Sequence, residues 1–194
     1  MQNRLASFPG GWSLVPYSDC VLHGRHGIMR PGGVSRESAG PADLPELRLL
    51  EAHFRMNVYF SCSLTGGRQD QSVYAAIVAY LIDQGHAVPT AHLAHRDVMD
   101  LEQVVDPAEI YQRDVEWIRD CDALVAEVST PSHGVGYEIA YALQLGKPVL
   151  CCFRRGARVS KMITGNDSPG LQVRLYADGK DVIGIVDQFL SGIA

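Results

Sequence analysis

The sequence lacks any apolar run near the length of about eighteen residues that a membrane-spanning helix requires. It also lacks an excess of positive charge, since 17 lysines and arginines stand against 22 aspartates and glutamates, a formal net charge of -5. Proteins that bind DNA or RNA usually carry a basic face. The N-terminus lacks the basic-then-apolar pattern of a secretory signal peptide. We therefore expect a cytoplasmic protein with no membrane and no nucleic-acid partner.

Paired cysteines and metal-site spacings are lacking as well. The five cysteines, an odd number without zinc-site spacing, are Cys20, Cys62, Cys121, Cys151 and Cys152. Reduced thiols are typical of cytoplasmic proteins. Cys151 and Cys152 are adjacent in an apolar strand-like stretch, so they should point to opposite faces as core thiols. His92 and His95 have a spacing seen in metal sites, but no suitable third ligand is nearby. We expect neither a metal nor a cofactor.

Residues 1–55 differ in composition from the rest of the chain. They hold seven of the 19 glycines and five of the 10 prolines, and only residues 44–54 have the pattern of a short helix. Met56 directly precedes the first strand-like stretch. We expect residues 1–55 to be a disordered N-terminal extension, or to reflect a start codon placed too early. The functional domain would then span residues 56–194, and one domain is the default at this length.

From Met56 onward, strand and helix patterns alternate. Apolar stretches predict five strands, at 58–62, 87–89, 123–128, 149–153 and 171–176. Helical periodicity and capping signals predict helices at 70–84, 107–118, 137–145 and 181–190. This alternation predicts an α/β fold: a doubly wound, flavodoxin- or Rossmann-like, five-stranded parallel sheet with helices on both faces.

The segment 129–138 carries the most functional information. It follows the third predicted strand and leads into a helix, which places the Glu138 carboxylate in a first helical turn behind Gly134 and Gly136. Glycines let a ligand approach the backbone closely. The helix N-terminus offers N–H groups to an anion, and Ser132 adds a hydroxyl. A carboxylate beside an anion-binding turn indicates a nucleophile or base that acts on a phosphorylated substrate.

A second candidate loop follows the first predicted strand. Gly66 and Gly67 expose backbone N–H groups there, and Arg68 is placed to form a bidentate contact with phosphate. The segment matches neither a Walker P-loop nor G-x-G-x-x-G, and the alternative is a tight turn with an exposed arginine. In a doubly wound sheet the first and third strands end near the reversal of strand order. Both loops can therefore face one ligand.

Two further side chains are candidates for the site. Asp114 lies on the helix predicted at 107–118, near its apolar stripe, although a solvated position on the helix flank is an equal alternative. Tyr59 lies within the first predicted strand, where a buried tyrosine is most often part of the core. The functional alternative is that its hydroxyl hydrogen-bonds the catalytic carboxylate.

Four segments together carry a resemblance to a known family. They are VYFSCSLTGGRQD at 58–70, DVEW at 114–117, AEVSTPSHGVGYE at 126–138 and RVSKMI at 158–163. Their sequences, order and spacing resemble the Rcl-like 2′-deoxynucleoside 5′-phosphate N-hydrolases of the nucleoside 2-deoxyribosyltransferase-like superfamily. The resemblance runs from Met56 nearly to the C-terminus.

The resemblance implies roles for individual residues. Glu138 would be the nucleophile that attacks the anomeric carbon, Tyr59 would orient it, and Asp114 would assist departure of the base. The implied substrate contacts are Cys62, Ser63, Leu64, Thr65, Gly66, Gly67, Arg68, Ser132 and Gly134. Ser160, Lys161 and Met162 would reach the neighbouring subunit's site, which implies a homodimer with shared active sites.

The implied reaction is hydrolysis of a nucleoside 5′-monophosphate to deoxyribose 5-phosphate and free base through a glycosyl-enzyme on Glu138, without a cofactor. Two positions depart from the family, since Thr65 stands where the best-known members have arginine and Cys62 where they have glycine. We still favour a monophosphate substrate. The alternatives are a deoxyribosyltransferase, a ribonucleotide N-hydrolase of the cytidylate type, or a non-catalytic nucleotide sensor. The intact set of Tyr59, Asp114 and Glu138 argues against the sensor.

Overall fold

Strands and helices alternate throughout the part of the chain that the computed structural model describes, residues 55–95, 98 and 105–193. The elements are β1 (Val58–Ser61), α1 (Gln71–Asp83), a 3-10 helix (Ala91–Ala94), α2 (Pro107–Asp120), β2 (Ala123–Glu127), α3 (His133–Gln144), β3 (Val149–Arg154), α4 (Lys161–Thr164), β4 (Leu171–Tyr176) and α5 (Gly179–Ser191). None of the helices in these ranges is long and apolar enough to cross a membrane. The expectations for residues 1–54, including a helix at 44–54, lie outside the described residues.

The sheet is parallel and confirms the predicted α/β class, but within the described residues it has four strands and not five, in the order β1-β2-β3-β4. The stretch predicted as a strand at 87–89 makes only an isolated parallel bridge, between Asn57 and Ala87. Proline lacks the N–H that Pro89 would need to continue a ladder. The Phe60 N–H instead donates to the Thr90 hydroxyl oxygen at 3.0 Å. The Thr90 side chain therefore replaces the backbone acceptor that a continued ladder would offer to Phe60.

The direction in which the chain adds neighbours to the sheet reverses after β1. After β1 the chain passes to the bridge at Ala87 on one side of that strand, and it then returns to β2 on the other side. Loops that follow two strands on either side of such a reversal diverge and leave a crevice at the carboxyl ends of the strands. This edge of the sheet is therefore the expected location of a ligand site.

Each face of the sheet carries its own buried core. One core packs Phe60 and Cys152 against α1 and α5, and the other packs Tyr59 and Cys151 against α2 and α3. The separation follows from the strand geometry, because successive side chains point to opposite faces. The two adjacent cysteines are thus core thiols on opposite sides, as predicted, and all four described cysteines are free and buried.

The helix ends show which local signals decide them. Helix α2 begins at Pro107 as predicted, and the Asp106 carboxylate accepts a hydrogen bond from the Ala108 N–H at 2.8 Å. Helix α3 begins at residue 133, four residues earlier than predicted, because Ser132 caps it through the Val135 N–H. Glu138 consequently lies in the second turn of α3, and the expectation of the first turn was wrong.

Candidate active site

A cavity of about 600 Å³ opens where the strand order reverses. Its walls come from the loop after β1, the start of α3 and the inner side of α2. Predicted site residues that line it are Cys62, Leu64, Thr65, Asp114, Ser132, Gly134 and Glu138. Two carboxylates, predicted from separate parts of the sequence, thus share one cavity.

The loops after β1 and β2 touch each other beside this cavity. A Cβ atom placed on Gly66 would lie 2.3 Å from the Pro131 carbonyl oxygen and 2.7 Å from the Ser63 hydroxyl oxygen, so only glycine fits there. The next residue, Gly67, has a φ of 126°, which side chains rarely tolerate. The paired glycines therefore serve two needs, a close contact between loops and a left-handed turn.

Glu138 projects from α3 toward the end of β1. Its Oε2 accepts a hydrogen bond of 2.5 Å from the Ser61 hydroxyl. Burial raises the pKa of Glu138 from its ordinary value of 4.5 to about 7, the charge of Asp114 adds to the rise, and the Ser61 and Tyr59 hydroxyls oppose it. A carboxyl group with this pKa is available both as an anion and as an acid near neutral pH.

Ser61 opens the candidate loop 61–68, whose hydroxyls the sequence indicated only as further donors to a ligand, so its bond to Glu138 was not predicted. It lies two residues after Tyr59 in β1, so both side chains point to the same face of the sheet. The spacing within the strand was a usable signal once Tyr59 had been singled out. Only the packing of α3 on that face, however, brings Glu138 to Ser61 across 77 residues of sequence.

The Tyr59 side chain is completely buried beside the same carboxylate. Among the described residues, its hydroxyl has no partner in ordinary hydrogen-bond geometry, but it lies close enough to Glu138 to lower the pKa of that carboxyl. Burial raises the pKa of Tyr59 far above its ordinary value, and the charges of Glu138 and Asp114 raise it further. The hydroxyl therefore stays protonated and can donate to Glu138, although its role in orienting Glu138 remains a prediction.

Asp114 faces the cavity from α2. Its Oδ1 accepts a hydrogen bond of 2.9 Å from the Arg113 Nε, and only 22% of the Asp114 side chain is exposed. The Arg113 guanidinium lies 4.8 Å from the centre of the Trp117 ring and also lines the cavity. Sequence reasoning missed Arg113, whose only signal was its position next to Asp114. A cation thus stands beside one of the two cavity carboxylates.

Arg68 is held by hydrogen bonds within the protein. Its two terminal nitrogens donate to the carbonyl oxygens of Leu93 at 2.8 Å and His95 at 2.6 Å. The guanidinium carbon also lies 5.6 Å from the centre of the Tyr74 ring. In this arrangement Arg68 anchors the 3-10 helix to the loop after β1, and its contact with phosphate stays a prediction. The sequence could not predict these two partners, because they depend on how the loop after β1 packs against the 3-10 helix.

A second groove of about 990 Å³ adjoins the cavity and shares Thr65, Ser132, His133 and Val135 with it. Gly66, Ser160, Lys161 and Met162 also line this groove. Ser160 caps the short helix α4 through the Met162 N–H at 3.2 Å, and the Met162 side chain is 83% exposed. The segment predicted to reach a partner subunit thus borders the site of its own chain.

Within residues 55–95, 98 and 105–193, no group of three or more His, Cys, Asp or Glu side chains is placed to hold a metal ion. The polar groups around the cavity are two carboxylates, several hydroxyls, one guanidinium, the His133 imidazole and the Cys62 thiol. This set can attack carbon, move a proton and hold an anion.

A buried carboxylate at the strand reversal of a doubly wound sheet, lining one cavity with a second carboxylate, is an arrangement that suits an α/β enzyme of the glycosyl-cleaving kind. The family model of nucleoside 2-deoxyribosyltransferases matches residues 58–184. The chain belongs to the nucleoside 2-deoxyribosyltransferase family, as its sequence motifs predicted.

Individual relatives agree with this assignment. The chain is 42% identical over 129 residues to the 5-hydroxymethyl-dUMP N-hydrolase of Rattus norvegicus, a match that covers 64% of this chain and 78% of the relative. It is 38% identical over 145 residues to the protein of the same name from Esox lucius, covering 72% and 99%. Among solved structures, a CMP N-glycosidase of Clostridium botulinum has the same fold, with a TM-score of 0.54, 18% identity, and coverage of 69% of this chain and 99% of that one.

Proposed function

We propose that the protein hydrolyses the N-glycosidic bond of 2′-deoxynucleoside 5′-monophosphates and releases deoxyribose 5-phosphate and the free base. The observation that carries the proposal is the buried Glu138, hydrogen-bonded to Ser61 and sharing a cavity with Asp114. The relatives support the substrate class, since two are named for hydrolysis of a deoxynucleoside monophosphate and the structural neighbour is named for cleavage of CMP.

The first step would be attack by Glu138. A bond forms between a Glu138 carboxylate oxygen and the anomeric carbon, while the bond from that carbon to the base nitrogen breaks and its electron pair leaves with the base. The transition state resembles an oxocarbenium ion, which a nearby carboxylate stabilises. The hydrogen bond from Ser61 holds the attacking carboxylate in place and favours its ionised form.

Asp114 would assist the departing base. A nucleobase leaves poorly as an anion, and a proton delivered to it contributes roughly 10²–10⁴-fold to the rate of such reactions. Asp114 lies on the wall of the same cavity, with Arg113 bonded to one of its oxygens. A water molecule would then attack the anomeric carbon and give a proton to Asp114 while the bond from that carbon to Glu138 breaks, which completes hydrolysis.

The phosphate would lie against the start of α3 and the Gly66–Gly67 turn. Helix α3 presents the N–H groups of its first turn at this point, and residues of that turn line the cavity. Ser132 and Thr65 line both the cavity and the adjoining groove, which carries Lys161. Thr65 supplies a hydroxyl where the best-known members of the family that the sequence resembles have arginine, so this chain would hold the phosphate with fewer charged contacts.

The assembly and cellular setting belong to the same proposal. A homodimer would let the exposed segment 160–162 contribute to the partner's site. The functional domain would comprise residues 56–194 and act in the cytoplasm.

The test is a substrate panel. The protein is incubated with deoxyribonucleoside and ribonucleoside 5′-monophosphates and with the matching nucleosides, and free base is separated by chromatography. We expect base release from a deoxyribonucleoside monophosphate, at much higher kcat/KM than from its nucleoside, because charge-assisted contacts position the sugar. Equal efficiency on both, with transfer of the sugar to an added second base, would assign the protein to the transferases. Release from ribonucleotides alone would assign it to the cytidylate type.

A further inference from the structure

A second buried carboxylate, Glu127, ends β2 on the face of the sheet opposite to Glu138. Its side chain is completely buried. Its neighbours show its direction, because Ala126 and Val128 on either side belong to the core under α2 and α3, whereas Val125, two residues before, belongs to the core under α1 and α5. The reaction proposed above makes no use of Glu127. A buried carboxylate is costly unless hydrogen bonds satisfy it, so the presence of Glu127 in this place requires an explanation.

Donors surround the Glu127 carboxylate. The Tyr176 hydroxyl donates to its Oε1 at 2.8 Å, and the Ser129 hydroxyl donates to the same oxygen. The Ser129 N–H lies 3.3 Å from both carboxylate oxygens. Every one of these groups donates a hydrogen bond to Glu127. An ionised carboxylate suits this arrangement, because both of its oxygens act only as acceptors.

Further hydrogen bonds connect Ser129 to the end of β3 and to the start of α1. The Ser129 hydroxyl oxygen accepts a hydrogen bond of 2.7 Å from the Arg154 N–H at the end of β3. The Arg154 Nε in turn donates to Asp70 Oδ1 at 2.9 Å. Asp70 is buried and directly precedes α1. One network therefore joins the ends of β2, β3 and β4 to the start of α1.

The turn held by this network carries the proposed site. Residues 128–132 lead from Glu127 to Ser132, which caps α3 six residues before Glu138. Within this turn, the Pro131 carbonyl lies against Gly66 of the other loop. We propose that Glu127 is a positioning residue, which fixes the turn 128–132 and thereby the start of α3 and the contact between the two loops. This inference rests on the proposed function for the identity of the reaction.

The test compares three variants that weaken the network with one matched control. Ser129→Ala removes the shared hydroxyl, Tyr176→Phe removes one donor, and Glu127→Gln keeps the shape while removing the charge. Tyr80→Phe is the control, because it deletes another tyrosine–carboxylate hydrogen bond, 2.5 Å to Asp187, between α1 and α5. Tyr176→Phe is the mildest of the three substitutions, because it removes a single hydroxyl group. It keeps the test possible if the other two variants do not fold.

Two measurements separate positioning from a structural role. Amide hydrogen exchange in residues 128–136 should become faster in the network variants and stay unchanged in the control. The kcat for base release should fall about tenfold or more in Ser129→Ala and Glu127→Gln, since a misplacement of ~1 Å can cost ~10²-fold. The control should match wild type after correction for any loss of thermal stability.

Unchanged exchange in the turn would overturn the proposal, and so would faster exchange with undiminished kcat. A wild-type protein that releases no base would contradict the proposed function by itself. Amide hydrogen exchange can be measured on a protein without activity. It therefore shows whether Glu127 holds the turn 128–132 even if the proposed function is wrong.

Discussion

Replacement of Glu138 by glutamine should abolish base release and, at the same time, stabilise the folded protein at alkaline pH. The reason lies in the site: burial raises the pKa of Glu138 to about 7 from an ordinary 4.5. Between these two values the folded state binds a proton that the unfolded state releases, so stability falls as the pH rises. Above pH 7 the folded protein must hold a buried anion, and that unfavourable contribution is then fully present.

The magnitude follows from the two pKa values. A difference of about 2.5 units corresponds to about 3 kcal/mol at 1.36 kcal/mol per unit. Glutamine carries no charge at any pH, so Glu138→Gln should raise the free energy of unfolding by about this amount near pH 8.5 and by less than about 1 kcal/mol near pH 5. The neutral amide can still accept the Ser61 hydrogen bond.

The assay is denaturant unfolding of both proteins at the two pH values, with base release measured on the same samples. Asp167→Asn, on an exposed position after α4, is a control for loss of a negative charge. An equal stability difference at both pH values would refute the assignment of a raised pKa to Glu138. Near-normal turnover by the folded variant would refute its role as nucleophile.

Three other predictions follow from the contacts around the site. Ser61→Ala removes a hydrogen bond that lowers the pKa of Glu138, so the rise of kcat/KM with pH should shift upward by about 1–2 units, measured as base release against pH, and an unshifted profile would contradict it. Gly66→Ala forces a methyl group against the Pro131 carbonyl and should destabilise the protein by about 1–3 kcal/mol with loss of activity, whereas equal melting temperatures would show that the loops move freely. Mixing Glu138→Ala with a Ser160→Ala variant, once each is shown to be inactive, should restore part of the activity in a dimer with shared sites, and background activity after confirmed subunit exchange would show that each chain builds its own site.

The alternation of strands and helices was predictable because its signals are local. Apolar stretches of strand length and helical periodicity are properties of a few neighbouring residues, and Asp106 followed by Pro107 marks the start of α2 whatever lies around it. The stretch 87–89 was mispredicted because a strand also needs a partner. Its apolar character was visible, but the Thr90 hydroxyl displaces the next backbone pairing.

The start of α3 shows a competition between local preferences. Gly134 and Gly136 have low helix propensity, which favoured a later start. The Ser132 cap and the burial of Val135 against the sheet prevail, so the helix includes both glycines. Because the helix begins four residues earlier than predicted, Glu138 lies in its second turn. The carboxylate is therefore one turn further from the helix N-terminus than the sequence indicated.

The sequence by itself determined the α/β class, the family and the identity of the carboxylates that the cavity contains. These depend on residue types and on their order along the chain. Only the tertiary structure decided that Ser61 bonds Glu138, that Arg68 holds two carbonyl groups of another segment, and that burial moves the pKa of Glu138 to about 7. Each of these joins residues far apart in sequence, and strand register and helix packing set their distances and their exposure to water.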